Sequence, residues 1–322
     1  MNKKYFVTGG AGFLGAAIID ILIKNNLEVV CYDNSSRGNK AKLKNNIKNI
    51  EFIEGDIRDE EKVVNSSKEC DAIIHLAFIN GTEYFYKMPH LVLDVGIKGI
   101  QNVLSASKKN KIEELIVASS SEVYQLPSII PTPENVPLIV PDVFNPRYSY
   151  GSAKIISEIL CIHSENIFKR MMIFRPHNVY GPDMGNEHVI PQLITRLDML
   201  IKKNKKVSNV NFKILGDGSQ TRSFNYIDDF ANGVLAIITN GVHNNIYHIG
   251  DDREFYIKEV VEMIADIMGT SVNIISGPAP EGETKRRCPD ITKIKKLAYS
   301  PKVNLQDGLR STIEWYRSNN ER

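Results

Sequence analysis

The stretch NPRYSYGSAK, residues 145–154, sets two tyrosines close to one lysine. The segment from that lysine onward, KIISEILCIHSENIF, spaces Ile155, Ile156, Ile159, Leu160 and Ile162 with helical periodicity. On a helix that already includes 150–154, Tyr150 and Lys154 lie four residues apart and share a face. Their phenol and ammonium can then reach one ligand. Tyr148, six residues before the lysine, points elsewhere. A free tyrosine titrates near about 10, and a neighbouring positive charge favours the phenolate and lowers that value. Such a pair is a general base usable near neutral pH. Spacing alone also fits a Tyr and a Lys on the surface of an amphipathic helix, so the other residues must discriminate.

A second group with chemistry in it is VTGGAGFLG, which places Gly9, Gly12 and Gly15 at G-x-x-G-x-x-G spacing. It follows an apolar strand and opens an amphipathic helix, the context in which glycines let backbone approach a pyrophosphate. The helix start, with Phe13 and Leu14, offers free N–H groups and the positive end of a dipole. Asp33 ends the second strand, 18 residues after Gly15. A carboxylate there accepts from an adenosine ribose and repels a 2′-phosphate, which points to NAD over NADP. Arg37 is near enough in sequence to blur that preference. Asp56 and Ile57 follow the third strand, where an adenine edge could be met. Leu76 and Ala77 end the fourth, where backbone would face the cofactor.

These residues need elements to hold them. KYFVTG, EVVCYDN, IEFIEGD, DAIIHLA, IEELIVASSS and RMMIFRP read as strands, and the runs between them include helices at FLGAAIIDILIKN and HLVLDVGIKGIQNVLSASKKN. Strands separated by helices imply a parallel sheet covered on both faces. Ligands then gather at the carboxyl ends of the strands, where the glycine loop, Asp33, Asp56, Ile57, Leu76 and Ala77 fall. After about residue 176 the texture changes to loops, short helices and short strands. The proline-rich 127–146 is a long aperiodic loop, expected as an active-site lip.

The 322 residues are 42% hydrophobic and 24% charged, with a net charge of +2. That is an ordinary globular composition without a nucleic-acid footprint. The basic runs KAKLKNNIKNI and KKNKK read as solvated helix ends or loops. No apolar run reaches the about 20 residues a membrane span needs. The chain enters a strand at once, so no signal peptide is expected. Cys31, Cys70, Cys161 and Cys288 are scattered, with no C-x-x-C. They are expected as reduced thiols in a cytoplasmic protein rather than as disulfides or a zinc site.

Taken together, the glycine pattern, Asp33, Asp56, HLA, ASSSEVY, YSYGSAK and FRPHNVYGP resemble the extended short-chain dehydrogenase/reductase family. The branch is that of the nucleotide-sugar epimerases, dehydratases and decarboxylases. The resemblance covers nearly the whole chain, since GDGSQTRSFNYIDDFANGVL and KRRCPDITKIKKLAYSPKVNLQDGLRSTIEWY look like the branch's carboxyl-terminal motifs. It implies an α/β fold: a Rossmann-type doubly wound parallel sheet with a smaller mixed α/β substrate domain. Residues 1–175 would form the NAD-binding domain, with part of 212–240 returning to it, and 176–322 mainly the nucleotide-sugar domain. NAD would be held by the glycine loop, Asp33, Asn34, Asp56, Ile57, Leu76, Ala77, Tyr150 and Lys154. Tyr150 would be the base, and Lys154 would hold the nicotinamide ribose and lower the tyrosine's pKa. Ser120 would bond the sugar's 4-hydroxyl. Ser121, Asn178, Arg222 and Arg287 would meet the substrate, with guanidinium forks suited to the diphosphate. His177 and His188 read as plain loop residues. No metal is implied, and a homodimer is.

The reaction such a site implies starts by oxidising a sugar at C4, and the fate of the ketone distinguishes the enzymes of the branch. Glu122 is the informative residue: dehydratases and decarboxylases of the branch often carry a glutamate there, and typical 4-epimerases lack it. Glu122 equally fits a bond to a backbone N–H at the strand end. Ser121 stands where the dTDP-glucose type of dehydratase has an aspartate, and FINGTEYFY departs from that type too. A nucleotide-sugar 4-epimerase is the first expectation, with a 4,6-dehydratase or decarboxylase using Glu122, or a net 4-dehydrogenase, as alternatives. A non-catalytic NAD sensor is disfavoured, because sensors lose the Tyr/Lys pair.

Overall fold

The computed structural model describes residues 2–164, 167–203, 209–278 and 284–319. The strands β1 (Lys4–Thr8), β2 (Glu28–Asp33), β3 (Glu51–Glu54), β4 (Ala72–His75), β5 (Glu114–Ala118) and β6 (Arg170–Pro176) follow the expected segments. They alternate with helices α1 (Phe13–Lys24), α2 (Glu60–Ser66), α3 (Thr82–Lys87), α4 (Pro89–Asn110) and α5 (Ser149–Ile162). Among the described residues the central sheet has seven strands, with Asn245–Ile249 added at the edge beside β6. From that edge the order runs through β6, β5, β4, β1 and β2 to β3, and every pairing is parallel. The order reverses between β1 and β4, where an open α/β sheet leaves a crevice at its carboxyl ends. Thr8 is in register with Tyr32 on one side and His75 on the other, so those ends line up.

Two apolar clusters cover the faces of this sheet. Ile18, Ile19 and Leu22 of α1 pack with Phe230 and Val234 of α7, once α6 (Val189–Lys203) and α7 (Ile227–Asn240) are counted in chain order. Val63 of α2 and Ile100, Val103 and Ala106 of α4 cover the other face. Gly15 in the first turn of α1 costs up to about 1 kcal/mol relative to alanine. The three fully buried aliphatics that follow it contribute about 1.5–3 kcal/mol each, so burial wins and the helix keeps its glycine. A third cluster joins α6 to the helices Ile257–Ile267 and Leu305–Asn319 through Leu193, Ile194, Val260, Ile264, Leu309 and Ile313. The four cysteines are free and buried, and burial pushes the thiols of Cys31, Cys161 and Cys288 up to about 12 and that of Cys70 to about 11.

The proline-rich segment 127–146 is irregular, as expected, but it is not a lip. Val136 packs on Val123 and Tyr124, and Thr132 bridges to Pro289, and none of residues 127–146 lines the crevice. The backbone groups of a long loop need partners. Here several go to the carboxyl-terminal segment: Thr132 N–H donates to the Cys288 carbonyl at 2.9 Å and Asp290 N–H to the Thr132 carbonyl at 2.8 Å.

Candidate active site

A cavity of about 840 Å³ opens at the carboxyl ends of the strands. Its floor at one end is the glycine loop. Gly9 has φ +70°, and a Cβ there would lie 2.7 Å from the Ala77 backbone nitrogen. A Cβ on Gly15 would lie 2.6 Å from the Gly10 Cα. Both glycines are therefore required by backbone packed on backbone. The helix α1 begins at Gly12 without a side-chain cap and without an acidic residue in its first turn. Its opening residues Phe13, Leu14 and Gly15 line the cavity, so its first N–H groups and dipole end suit a diphosphate.

Asp33 is buried, and its carboxylate accepts from Ala11 N–H at 2.9 Å and Ser35 N–H at 2.8 Å. Burial raises its pKa against those two bonds. Each oxygen keeps a further lone pair for a ribose hydroxyl. Arg37 does not crowd that carboxylate with its guanidinium, which sits 5.2 Å from the Tyr84 ring centroid and 3.4 Å from Glu187. Asp56 accepts from Arg58, its nearest oxygen 2.7 Å from the guanidinium, and from Asn34 at 3.3 Å, and Arg58 holds its carboxyl down at about 2. Asn34, Asp56, Ile57, Leu76 and Ala77 all line the same cavity. The Leu76 and Ala77 N–H groups are turned onto Thr8 Oγ1, at 3.2 Å each.

The other end of the cavity holds Ser120, Ser121, Glu122, Tyr150 and Lys154. Tyr148 precedes α5 and is not among the residues lining it. Tyr150 is buried between Phe85, stacked at 5.1 Å, and Phe78, edge-on at 5.1 Å. Lys154 Nζ donates to the Ala118 carbonyl at 2.6 Å and lies 3.9 Å from the centroid of the Phe78 ring. Here the expected electrostatics need correcting. Burial raises the Tyr150 phenol above its ordinary value, opposed by a hydrogen bond with Ser120. Burial also pushes Lys154 down to about 7, opposed by Glu158. In the protein alone, desolvation dominates both groups, because both side chains are out of water.

Glu122 lies in the short turn Ser121–Val123 that Ser120 caps, Glu122 N–H donating to Ser120 Oγ at 3.1 Å. Its carboxylate is not spent on a backbone N–H. It accepts from Arg287 Nη1 at 2.5 Å. Burial raises its pKa, but Arg287, with Arg147 and Arg222 behind it, wins and holds the carboxyl below the usual range. Arg287 is thus turned to the sugar end of the cavity. Arg222 lines a second cavity of about 200 Å³, which adjoins the first through Asn178, Val179, Met184 and His188. Asn178, at φ +39°, donates Nδ2 to the Ser223 carbonyl at 2.8 Å and lines both. His188 lies on both as well, so it is part of the wall. His177 is not a plain loop residue: it is buried against His248, ring centroids 4.7 Å apart.

The profile of the NAD dependent epimerase/dehydratase family matches residues 5–250. The chain belongs to that family. Along 98% of its length it is 32% identical to a putative UDP-glucose 4-epimerase of Methanocaldococcus jannaschii, covering 98% of that protein. It is 30% identical to a UDP-N-acetyl-alpha-D-glucosaminuronate decarboxylase of Bacillus cytotoxicus, again over 98% of each chain. The crystal structure of the dTDP-glucose 4,6-dehydratase DesIV from Streptomyces venezuelae, with NAD bound, superimposes with a TM-score of 0.86 at 27% identity, over 99% of this chain and 98% of that one. As a family member the protein is an NAD-dependent enzyme with a Rossmann-type sheet, and the uncapped helix, the glycine cradle and Asp33 fit NAD.

Several cavity residues escaped the sequence reading. Phe78 and Phe85 sit in FINGTEYFY, which reads in sequence as a departure from the dTDP-glucose dehydratase type, and they form the walls around Tyr150. Arg147 lies in the quoted stretch itself, three residues before Tyr150, and its charge acts on Glu122. Arg58 directly follows Ile57, and a cation two residues after an acid was a signal that could have been used.

Proposed function

We propose that the protein is a nucleotide-sugar 4-epimerase that works through a 4-keto sugar. The observation that carries this is the gathering of Ser120, Tyr150 and Lys154 at one end of a cavity whose other end is the dinucleotide cradle. When bound, NAD would supply the acceptor for the C4 hydride, and its positive ring would favour the phenolate that burial alone disfavours. Tyr150 takes the proton of the sugar's 4-hydroxyl. Ser120 donates to the same oxygen and orients it. Lys154, fixed on the Ala118 carbonyl, holds the cofactor ribose within reach of the phenol. Hydride returned to the opposite face of C4, and the proton returned from Tyr150, give the epimer. Asn178 and Arg222 meet the diphosphate where the two cavities join, and the nucleotide lies in the smaller one. Arg287 adds positive charge at the junction of sugar and diphosphate.

Glu122 bears on the choice of reaction. A carboxylate bonded to a guanidinium and held ionised is a weak base for a carbon-bound proton, which favours epimerisation. A second reading, 4,6-dehydration or decarboxylation, is favoured by its place in the cavity, two residues after Ser120. Incubation with UDP-, dTDP-, GDP- and CDP-sugars, read by mass, separates the two. An isomer of unchanged mass is expected. Loss of water or of carbon dioxide overturns epimerisation. Glu122→Gln should keep turnover in an epimerase and abolish the product of an eliminating enzyme. The protein acts as a homodimer, supported by the exposed Ile156 and Ile159 on α5; a monomer in sedimentation at micromolar concentration would count against that.

A further inference from the structure

Beneath the catalytic end of the cavity lies a buried polar chain. Tyr150, Lys154 and Glu158 are spaced by four along α5 and share one face of it. Glu158 is 2% exposed and faces Arg175 of β6, equally buried. Arg175 grips it with two parallel bonds, Nε to Oε1 at 2.8 Å and Nη2 to Oε2 at 2.5 Å. Ser119 Oγ, at the end of β5, also donates to Oε1. The third arm of Arg175 donates to the Tyr124 hydroxyl and to the Glu134 carbonyl, the latter at 3.0 Å. The Tyr124 oxygen thereby accepts a hydrogen bond from the arginine, so its own O–H donates to His248 Nε2, 2.5 Å away. That leaves His248 Nδ1–H to donate to the Asp290 carbonyl at 3.0 Å.

We propose that Glu158 is a positioning residue for the catalytic lysine, setting the charge of Lys154 from one helical turn away. The inference rests on the function proposed above, in which Lys154 holds the cofactor ribose. Three donors occupy most of the lone pairs of Glu158, so its carboxylate cannot swing up to Lys154 and acts on it through the field. The same strand end fixes both partners: Ala118 carries the lysine's acceptor, and Ser119 holds Glu158. The other titratable groups facing Lys154 are Tyr150 and Cys161 on its own helix and His75 on β4, which burial and Lys154 hold neutral, down to about 3. Among these, Glu158 is the group that supplies negative charge. A buried ion pair is weak evidence for a gain in stability, so its value here is sought in the charge state of its neighbour.

The test is the pH profile of kcat for Glu158→Gln, which keeps the shape and loses the charge. The alkaline limb should move to lower pH by up to about two units, the size of a unit-charge effect across one helical turn at an effective dielectric near 20. KM for the sugar should stay within about twofold. A folded variant with the wild-type limb overturns the proposal and leaves Glu158 a structural residue. Should Glu158→Gln not fold, Glu158→Leu/Arg175→Met removes both charges together and fills the site. It should fold and move the limb the same way but by less, because the opposing charge of Arg175 goes with that of Glu158, and a wild-type limb there overturns the proposal equally. Tyr150→Phe is run alongside. If it is fully active, the proposed function itself fails; if it is inactive while the limb does not move, the role of Glu158 alone fails.

Discussion

Tyr150 and Tyr148 differ by two residues and by everything that matters chemically. Tyr150 lies on α5 between two phenylalanine rings and beside Ser120, whereas Tyr148 ends the short turn before the helix. Tyr150→Phe keeps the ring stack and removes the hydroxyl, so NAD affinity should change little. Turnover should fall by at least 10²–10⁴-fold, the usual worth of a positioned proton-transfer group. Tyr148→Phe should retain most of the activity in the same assay. The pair was legible in the sequence because a spacing of four needs only local geometry. The sense of the pKa shift was not, because spacing says nothing about burial, and burial dominates both side chains. Glu122 was legible as a residue of interest, but its partner Arg287 lies 165 positions away and only the fold joins them.

At the scale of elements, the glycine loop and α1 act as one device. The substitution Gly15→Ala drives a Cβ against the backbone of Gly10, where no side chain can move aside. NAD affinity, measured by titration, should fall at least tenfold, and the α1 turn should loosen rather than merely lose a contact. A wild-type affinity would mean that the loop does not carry the diphosphate. The six strands and the helices between them were readable because buried parallel strands are continuous apolar runs, and β4 and β5 are buried throughout. The edge strand Asn245–Ile249 was missed. It has five residues, its buried half carries a histidine, and its assignment depends on pairing with β6 rather than on its own pattern. The loop 127–146 was read correctly as irregular and wrongly as a lip, since proline content marks a lack of period and not a location.

For the whole molecule, four histidines have pKa values depressed by burial, His188 and three more deeply buried ones that set the response to acid. Burial holds His75 and His248 down at about 3, and His177 well below its ordinary value. Each folded pKa lies below the unfolded one of about 6.5. Their stabilising contribution is therefore full above that value and is lost progressively as pH falls toward the folded pKa. Each should take up one proton on unfolding near pH 5, steepening the loss by about 1.4 kcal/mol per pH unit. Denaturant unfolding at pH 7, 6 and 5 checks this: stability that is flat between pH 7 and 5 would show that these rings are already accessible in the native state.

The burial of all four thiols gives the protein a built-in clock. Thiolate, not thiol, attacks alkylating reagents, and in the closed molecule each sulfur is both covered and held as the thiol. Labelling must then wait for the structure to open around it. Cys31 reports on one face of the central sheet, Cys70 and Cys161 on the other, and Cys288 on the carboxyl-terminal segment that carries Arg287. Four labelling rates, read peptide by peptide, amount to four local opening free energies, and NAD should slow first the sulfur whose surroundings it holds shut.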